Sequence, residues 1–381
     1  MNQDPSATTP LRRTPLYDRH VALGAKLVDF GGWEMPIEYA ASLSAGGHSR
    51  GGGVVAEHTA VREGVGVFDV SHMGKLRVHG VGALAALNGV VTNDLTRVGP
   101  GQAQYSMLCN DAGGVIDDLI VYVVADDELM LVPNATNAAR VAAVLRASLP
   151  APVAVVDRHD DLGIIAVQGP KSPETLDAVG LPTDQEYMSF ASVKRNGLPI
   201  AVCRTGYTGE HGYELMVVAE QLGEVWDAVL AAGEAYAVSP VGLGARDTLR
   251  TEMGYPLHGQ DLSESISPVE ARLGWAVGWS KTAFHGRDSL RAAREQGPTR
   301  VLRGLLATGR GVPRPHMAVM RGTQSVGETT SGTFSPTLKQ GIALALLDPS
   351  VADGDALTID VRGRPLDVRV VKPPFVSSSA R

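Results

Sequence analysis

The stretch GQAQYSMLCNDAGGVIDDLIVY, residues 101–122, decides how this chain folds. A Gly-Gly pair, Gly113 and Gly114, precedes two adjacent carboxylates, Asp117 and Asp118, and an apolar run over 119–124 follows at once. A short run rich in Val and Ile reads as a buried strand. Two charges at the mouth of such a strand are costly unless something pairs with them or uses them. Side chains alternate along a strand, so Asp117 and Asp118 point opposite ways, one toward a cavity and the other toward a loop or solvent. Asp after Gly-Gly is also ordinary turn chemistry, in which the carboxylate satisfies local backbone donors. The surrounding sequence has to decide between the two.

The chain has 381 residues, more than one ordinary core holds and enough for two or three domains. Its 44% apolar and 20% charged residues are those of a soluble globular protein. A net charge of −7 argues against nucleic acid as the main partner, because phosphate binding needs a concentrated basic face. Cys109 and Cys203 lie far apart without metal-ligand spacing, which fits a reducing compartment better than a disulfide framework. No run approaches the ~20 apolar residues of a membrane span. The opening MNQDPSATTPLRRTP lacks the apolar core of a secretory signal, and Asp4 argues against a transit peptide. The expected location is cytoplasmic, in a bacterium.

Along the chain, residues 1–13 read as a disordered tail and GGHSRGGG, 46–53, as a flexible loop. Helical spacing begins at Val54 and passes into a strand-like end; 81–89, 137–149 and 222–232 read as helices. Strands are expected at 119–124 and 129–132, around an acidic DDE turn, and at 162–167 and 200–204. After Pro298 come short strands separated by Gly, Pro and Asp turns, the pattern of a small antiparallel barrel or sandwich. With no regular βαβ rhythm earlier, the fold class is α+β and not a doubly wound sheet. GHSRG, 47–51, matches a nucleophile-elbow pattern but lacks the strand before it and the helix after it that the motif needs. The histidines show no helical pairing that would make a zinc site.

Ordered blocks along residues 14–375 resemble the aminomethyltransferases, the T-protein of the glycine cleavage system. They are TPLYDRHVALGAKLVDFGGWEMPIEY (14–39), AEHTAVREGVGVFDVSHMGKLRVHG (56–80), TNDLT (92–96), the Asp118 block and PNATN (133–137). IAVQGP (165–170), RTGYTGEHGYEL (204–215), GLGARDTLR (242–250), YPLHGQDL (255–262), GWAVGWSK (274–281) and GETTSGTFSPTLKQGIALALLD (327–348) complete the series. The Gly-rich 46–53 looks like an insertion. Met188 stands where some relatives carry tyrosine, and Thr251 replaces an apolar residue.

The resemblance implies three domains around a central folate cavity: a discontinuous α+β domain over 1–70 and 155–290, a second over 71–154 carrying Asp118, and a C-terminal antiparallel β domain over 298–381. It implies transfer of a methylene carbon from the aminomethyl-lipoyl arm of H-protein to tetrahydrofolate, giving 5,10-methylenetetrahydrofolate, ammonia and dihydrolipoyl H-protein. Tetrahydrofolate would be the co-substrate and the lipoate would belong to the partner; no metal, membrane or nucleic acid is implied. Asp118 would be the catalytic residue, near folate N5 and N10, where a fixed carboxylate stabilises positive charge and takes or relays a proton. Glu214 would accept the two-donor edge of the pterin. Tyr105, Tyr122 and Tyr207 would line the cavity, with Met73 and Asn134 as further folate contacts. Arg246 would hold an anionic or carbonyl group of the folate or pair with Asp247, and Trp275 would either contact folate or pack in the core. Two other chemistries fit the same fold: a folate-dependent demethylase, and a non-catalytic folate-binding protein of iron–sulfur assembly, whose Cys-containing Gly-rich motif is missing from this sequence.

Overall fold

The computed structural model describes residues 10–43, 49–50 and 52–380, which form two large open sheets, two two-stranded sheets, one closed barrel and the helices packed on them. In the six-stranded sheet the order is Phe190–Arg195, Leu198–Cys203, Gly212–Val218, Leu162–Gln168, Gly66–Asp69 and Ser239–Pro240. All its pairs are antiparallel except the last. Alternation along Leu162–Gln168 serves two cores. Ile165 and Val167 face helix Leu222–Ala232, packing with Trp226 and Val229. Ile164 and Ala166 face the other way, toward Ala245 and Leu249 of helix Leu243–Met253.

The five-stranded sheet runs Ala154–Asp157, Leu76–His79, Glu128–Pro133, Val115–Ala125 and Ala103–Cys109. Val121, Val123, Leu129 and Leu131 pack under helix Ala138–Ser148 through Val141 and Leu145. The barrel closes Val301–Ala307, Gln340–Leu347, Gln324–Ser335, Ala318–Arg321, Ala356–Val361 and Arg364–Val371 on themselves, all antiparallel, around Leu305, Ala343, Ala345 and Val368. Closure leaves it no edge strand. Among the described residues no helix is long and apolar enough to cross a membrane.

Helix Leu243–Met253 joins these bodies. Glu252, fully buried, accepts from Ser335 and Thr337 of the barrel domain and pairs with Arg62 at 2.8 Å and His58 at 3.3 Å. Two turns of chain onward, buried Asp261 accepts from Arg250, Thr330 and Ser331. Carboxylates taken out of water this completely are tolerated because every oxygen has donors.

Four local expectations change. Residues 1–9 lie outside the described residues, but the rest of the expected tail is anchored: Arg12 bridges to Trp33 and lays its guanidinium 4.0 Å over that ring. Of the loop 46–53, residues 46–48 and 51 lie outside the described residues, while Ser49–Arg50 pairs with Ser42–Leu43. The acidic turn is shorter than DDE, since Glu128 opens a strand. The strand expected at 119–124 starts at Val115, so both carboxylates sit inside it and not at its mouth.

Candidate active site

The hairpin that carries the acid pair is shaped by its two glycines. Gly113 takes φ +86°, which favours glycine, and a Cβ on Gly114 would stand 1.8 Å from the Glu264 carbonyl oxygen. The turn is therefore pressed against residues 263–266, where Val115 N donates to Ser263 O. Just beyond it the pairing with Ala103–Cys109 slips by one residue at Ile116, since Leu108 opposes Asp117 but Cys109 opposes Val115. Such a bulge re-aims the side chains that follow.

Asp118 then points into a cavity of about 770 Å³, and Asp117 points away from it. Asp117 is fully buried and faces the loop after Pro133. It accepts from Asn134 N and Nδ2 at 2.9 Å each and from Asn137 Nδ2 at 2.7 Å. Asp118 accepts from Tyr105 Oη at 3.0 Å and Asn134 Nδ2 at 3.0 Å. Burial, then the charge of Asp118, raises the Asp117 carboxyl above the usual range. Burial raises Asp118 as well, against the hydrogen bonds from Tyr105 and Asn134, which lower it. Adjacent buried acids resist carrying two negative charges, so the pair keeps a proton to higher pH than free aspartates do. Burial and the Asp118 charge also keep Tyr105 protonated, as a donor.

The cavity gathers every residue singled out from the sequence: Met73, Tyr105, Asp118, Tyr122, Asn134, Tyr207, Glu214, Arg246 and Trp275 all line it. Tyr105 stacks on Trp275 at 5.5 Å between centroids, and Tyr207 on Tyr255 at 5.7 Å. Trp275 is 66% exposed, at the rim, so a core role is excluded. Glu214 accepts from Thr205 at 2.5 Å, and Thr205 in turn takes the Tyr122 hydroxyl at 3.1 Å. Arg246 does not pair with Asp247, which goes to Arg250 at 2.7 Å. Its guanidinium lies 4.5 Å over the Tyr207 ring. Burial lowers its pKa without discharging it, since an arginine stays protonated in proteins. Met188, the tyrosine replacement, also lines the cavity, at φ +63° beside Tyr187. Buried Thr251 spends its hydroxyl on Asp247 O.

The cavity has further members that sequence reasoning missed: His258, Thr205, Tyr255, Arg272, Arg303 and Lys372. His258 stood in the quoted block 255–262, yet a lone histidine between Leu and Gly carries no local signal. Its partners, Asn137 and Val115, are more than a hundred residues away. What the arrangement offers is a flat aromatic slot with a carboxylate along one part of its wall, a cation over an aromatic face, and an acid pair of raised pKa beside it. A slot of this size suits a drug-sized ring compound with hydrogen-bonding edges. Among the described residues no group of three or more His, Cys, Asp or Glu is placed to hold a metal.

Comparison with known proteins gives a consistent set of matches. The family model described as the GCVT N-terminal domain matches residues 16–281, and the glycine cleavage T-protein C-terminal barrel domain matches 300–377. A curated aminomethyltransferase of Frankia alni is 59% identical over 97% of this chain and 99% of its own length. One from Mycobacterium bovis is 54% identical over 96% and 97%. The crystal structure of the glycine cleavage system aminomethyltransferase T from Bartonella henselae superposes with a TM-score of 0.89 at 31% identity, covering 97% of this chain and 99% of that one.

Proposed function

The chain belongs to the glycine cleavage T-protein family, and from that premise we propose that it is the folate-dependent aminomethyltransferase, taking its one-carbon unit from a lipoylated H-protein. That it is an aminomethyltransferase of the glycine cleavage system follows from near-full-length identity of 52–59% to curated relatives of that name. The proposal adds the substrate pair, the residue roles and a cytoplasmic setting.

The observation that carries it is the pairing of Asp118 with the aromatic slot. Tyr207 and Tyr255 form one stack and Tyr105 and Trp275 another, flat surfaces suited to a pterin and a p-aminobenzoate ring. Glu214 would accept the two-donor edge of the pterin, with Thr205 fixing one of its oxygens. Arg246 would take a carbonyl or anionic group. In the reaction the C–N bond of the aminomethyl group breaks to release ammonia. The methylene–sulfur bond breaks to return a thiol, and the carbon ends between N5 and N10. Each folate nitrogen gives up its proton, one going to the departing amine and one to the departing thiolate. Asp118, fixed by Tyr105 and Asn134, stabilises the cationic carbon and accepts or relays one of these protons. The raised pKa of the acid pair makes it a better base than a free aspartate once ionised.

The test is formation of 5,10-methylenetetrahydrofolate from tetrahydrofolate and aminomethyl-loaded H-protein, with ammonia counted in parallel. Equal amounts, dependent on H-protein, are expected. Tight folate binding without turnover would leave the demethylase or a folate-binding module as the reading.

A further inference from the structure

Behind the acid pair, side chains from three parts of the chain form a single file. His258 Nε2 lies 3.0 Å from Val115 O, which can only accept, so Nε2 carries the proton. Asn137 Nδ2 lies 3.0 Å from Nδ1 and can only donate, so Nδ1 accepts from it. The other N–H of the same amide goes to Asp117 Oδ1 at 2.7 Å. Asp117 Oδ1 also accepts from Asn134 Nδ2, and Asn134 Nδ2 reaches Asp118 Oδ1. Each link fixes the direction of the next. An unprotonated Nδ1 forces the nitrogen of Asn137 toward it, and that nitrogen then supports Asp117. Satisfied by two amides, Asp117 keeps the amide of Asn134 turned toward Asp118.

We propose that His258 is a positioning residue for the transfer reaction, acting on Asp118 through Asn137, Asp117 and Asn134. This rests on the aminomethyl-transfer reading above and goes beyond it, by giving work to a histidine and an aspartate that do not carry the chemistry themselves. Turning the Asn137 amide over would place its oxygen against Asp117, a contact of two acceptors that only protonation relieves. The orientation of Asn137 thus decides how much negative charge Asp117 holds beside Asp118. The other titratable groups around Asp118 are Tyr105 on the paired strand and Tyr207, with Arg246 lying over the latter.

Two substitutions separate the nitrogens of His258. His258→Gln keeps an N–H near Val115 and removes the acceptor for Asn137. His258→Asn places an amide oxygen near the Nδ1 position and removes the donor to Val115. With the aminomethyl-loaded carrier, His258→Gln is expected to lower kcat about 10-fold or more, leaving KM for tetrahydrofolate within about twofold. His258→Asn should recover most of that loss. In an Asp117→Asn background, His258→Gln should add little, because the path is already cut. A carbon-13 titration of the Asp118 carboxyl should move in His258→Gln and return toward wild type in His258→Asn. Equal behaviour of the two variants, full additivity with Asp117→Asn, or an effect on KM alone would overturn the proposal. Absence of turnover by the wild type would instead remove the aminomethyl-transfer reading, while the carboxyl titration still reports on the file of side chains.

Discussion

Asp118 is half of an acid pair whose members face opposite sides of one strand, and its chemistry follows from that division. Asp118→Asn preserves size, but its amide offers one acceptor oxygen where the carboxylate accepts from both Tyr105 and Asn134, and it cannot take a proton. Turnover is expected to fall ~10²–10⁴-fold, with the melting temperature little changed. A variant that kept most of its turnover would remove the residue from the mechanism. As the proposed base, Asp118 works only when ionised, so the rate should fall on the acid side through a pKa above the usual aspartate range, in the direction set by burial. A pH–rate profile checks this. In the proposed reaction Glu214 serves binding and not the bond changes. Glu214→Gln should raise KM for tetrahydrofolate roughly 10–100-fold, the scale of one or two charge-assisted hydrogen bonds, with a smaller change in kcat. A steady-state titration with folate separates the two.

The hairpin of Ala103–Cys109 and Val115–Ala125 turns a sequence pattern into a site, and here the limits of reading the sequence show most clearly. The apolar run at 119–124 announced a strand, and Gly113–Gly114 announced a turn. The bulge at Ile116 had no signature, because it depends on what the partner strand offers opposite it. Nor did the fit of Gly114 against Glu264, which joins residues about 150 positions apart. The barrel was legible because short strands between Gly, Pro and Asp turns repeat a local rule. The Arg250 pairing was not: Asp247 and Asp261 both pair with that guanidinium, from different sides, so Arg246 is left to the cavity. Gly114→Ala tests the hairpin. A Cβ 1.8 Å from a carbonyl oxygen cannot be accommodated by a side-chain shift. The substitution should destabilise by about 3 kcal/mol or more and reduce turnover, because the strand bearing Asp118 must move. Chemical denaturation alongside activity would show it.

At the scale of the whole molecule, the barrel is held to the rest by buried carboxylates as well as by apolar packing. Burial alone would raise Glu252, but His58, Ser335 and Arg62 more than offset it and lower its pKa from 4.5 to about 2. A group depressed in this way stabilises the folded state above its unfolded pKa, and that stability is lost as pH falls through the folded value. The contribution is of order 3 kcal/mol, present above about pH 4.5 and fading toward about pH 2. Glu252→Gln should cost about 3 kcal/mol or more by leaving Arg62 and the barrel hydroxyls short of an acceptor. Calorimetry across that pH range should show the wild-type advantage shrink as acid is added. The cavity wall has a consequence of its own for how the protein is made. Lys372, Pro373, Pro374, Ser378 and Ala380 line it, and Ala380 O accepts from Arg204 on the far side of the sequence. A chain emerging from the ribosome therefore assembles both open sheets before it possesses a complete pocket. A ligand that uses the whole wall can bind, and so stabilise, only molecules in which residues 372–380 have joined the two sheets.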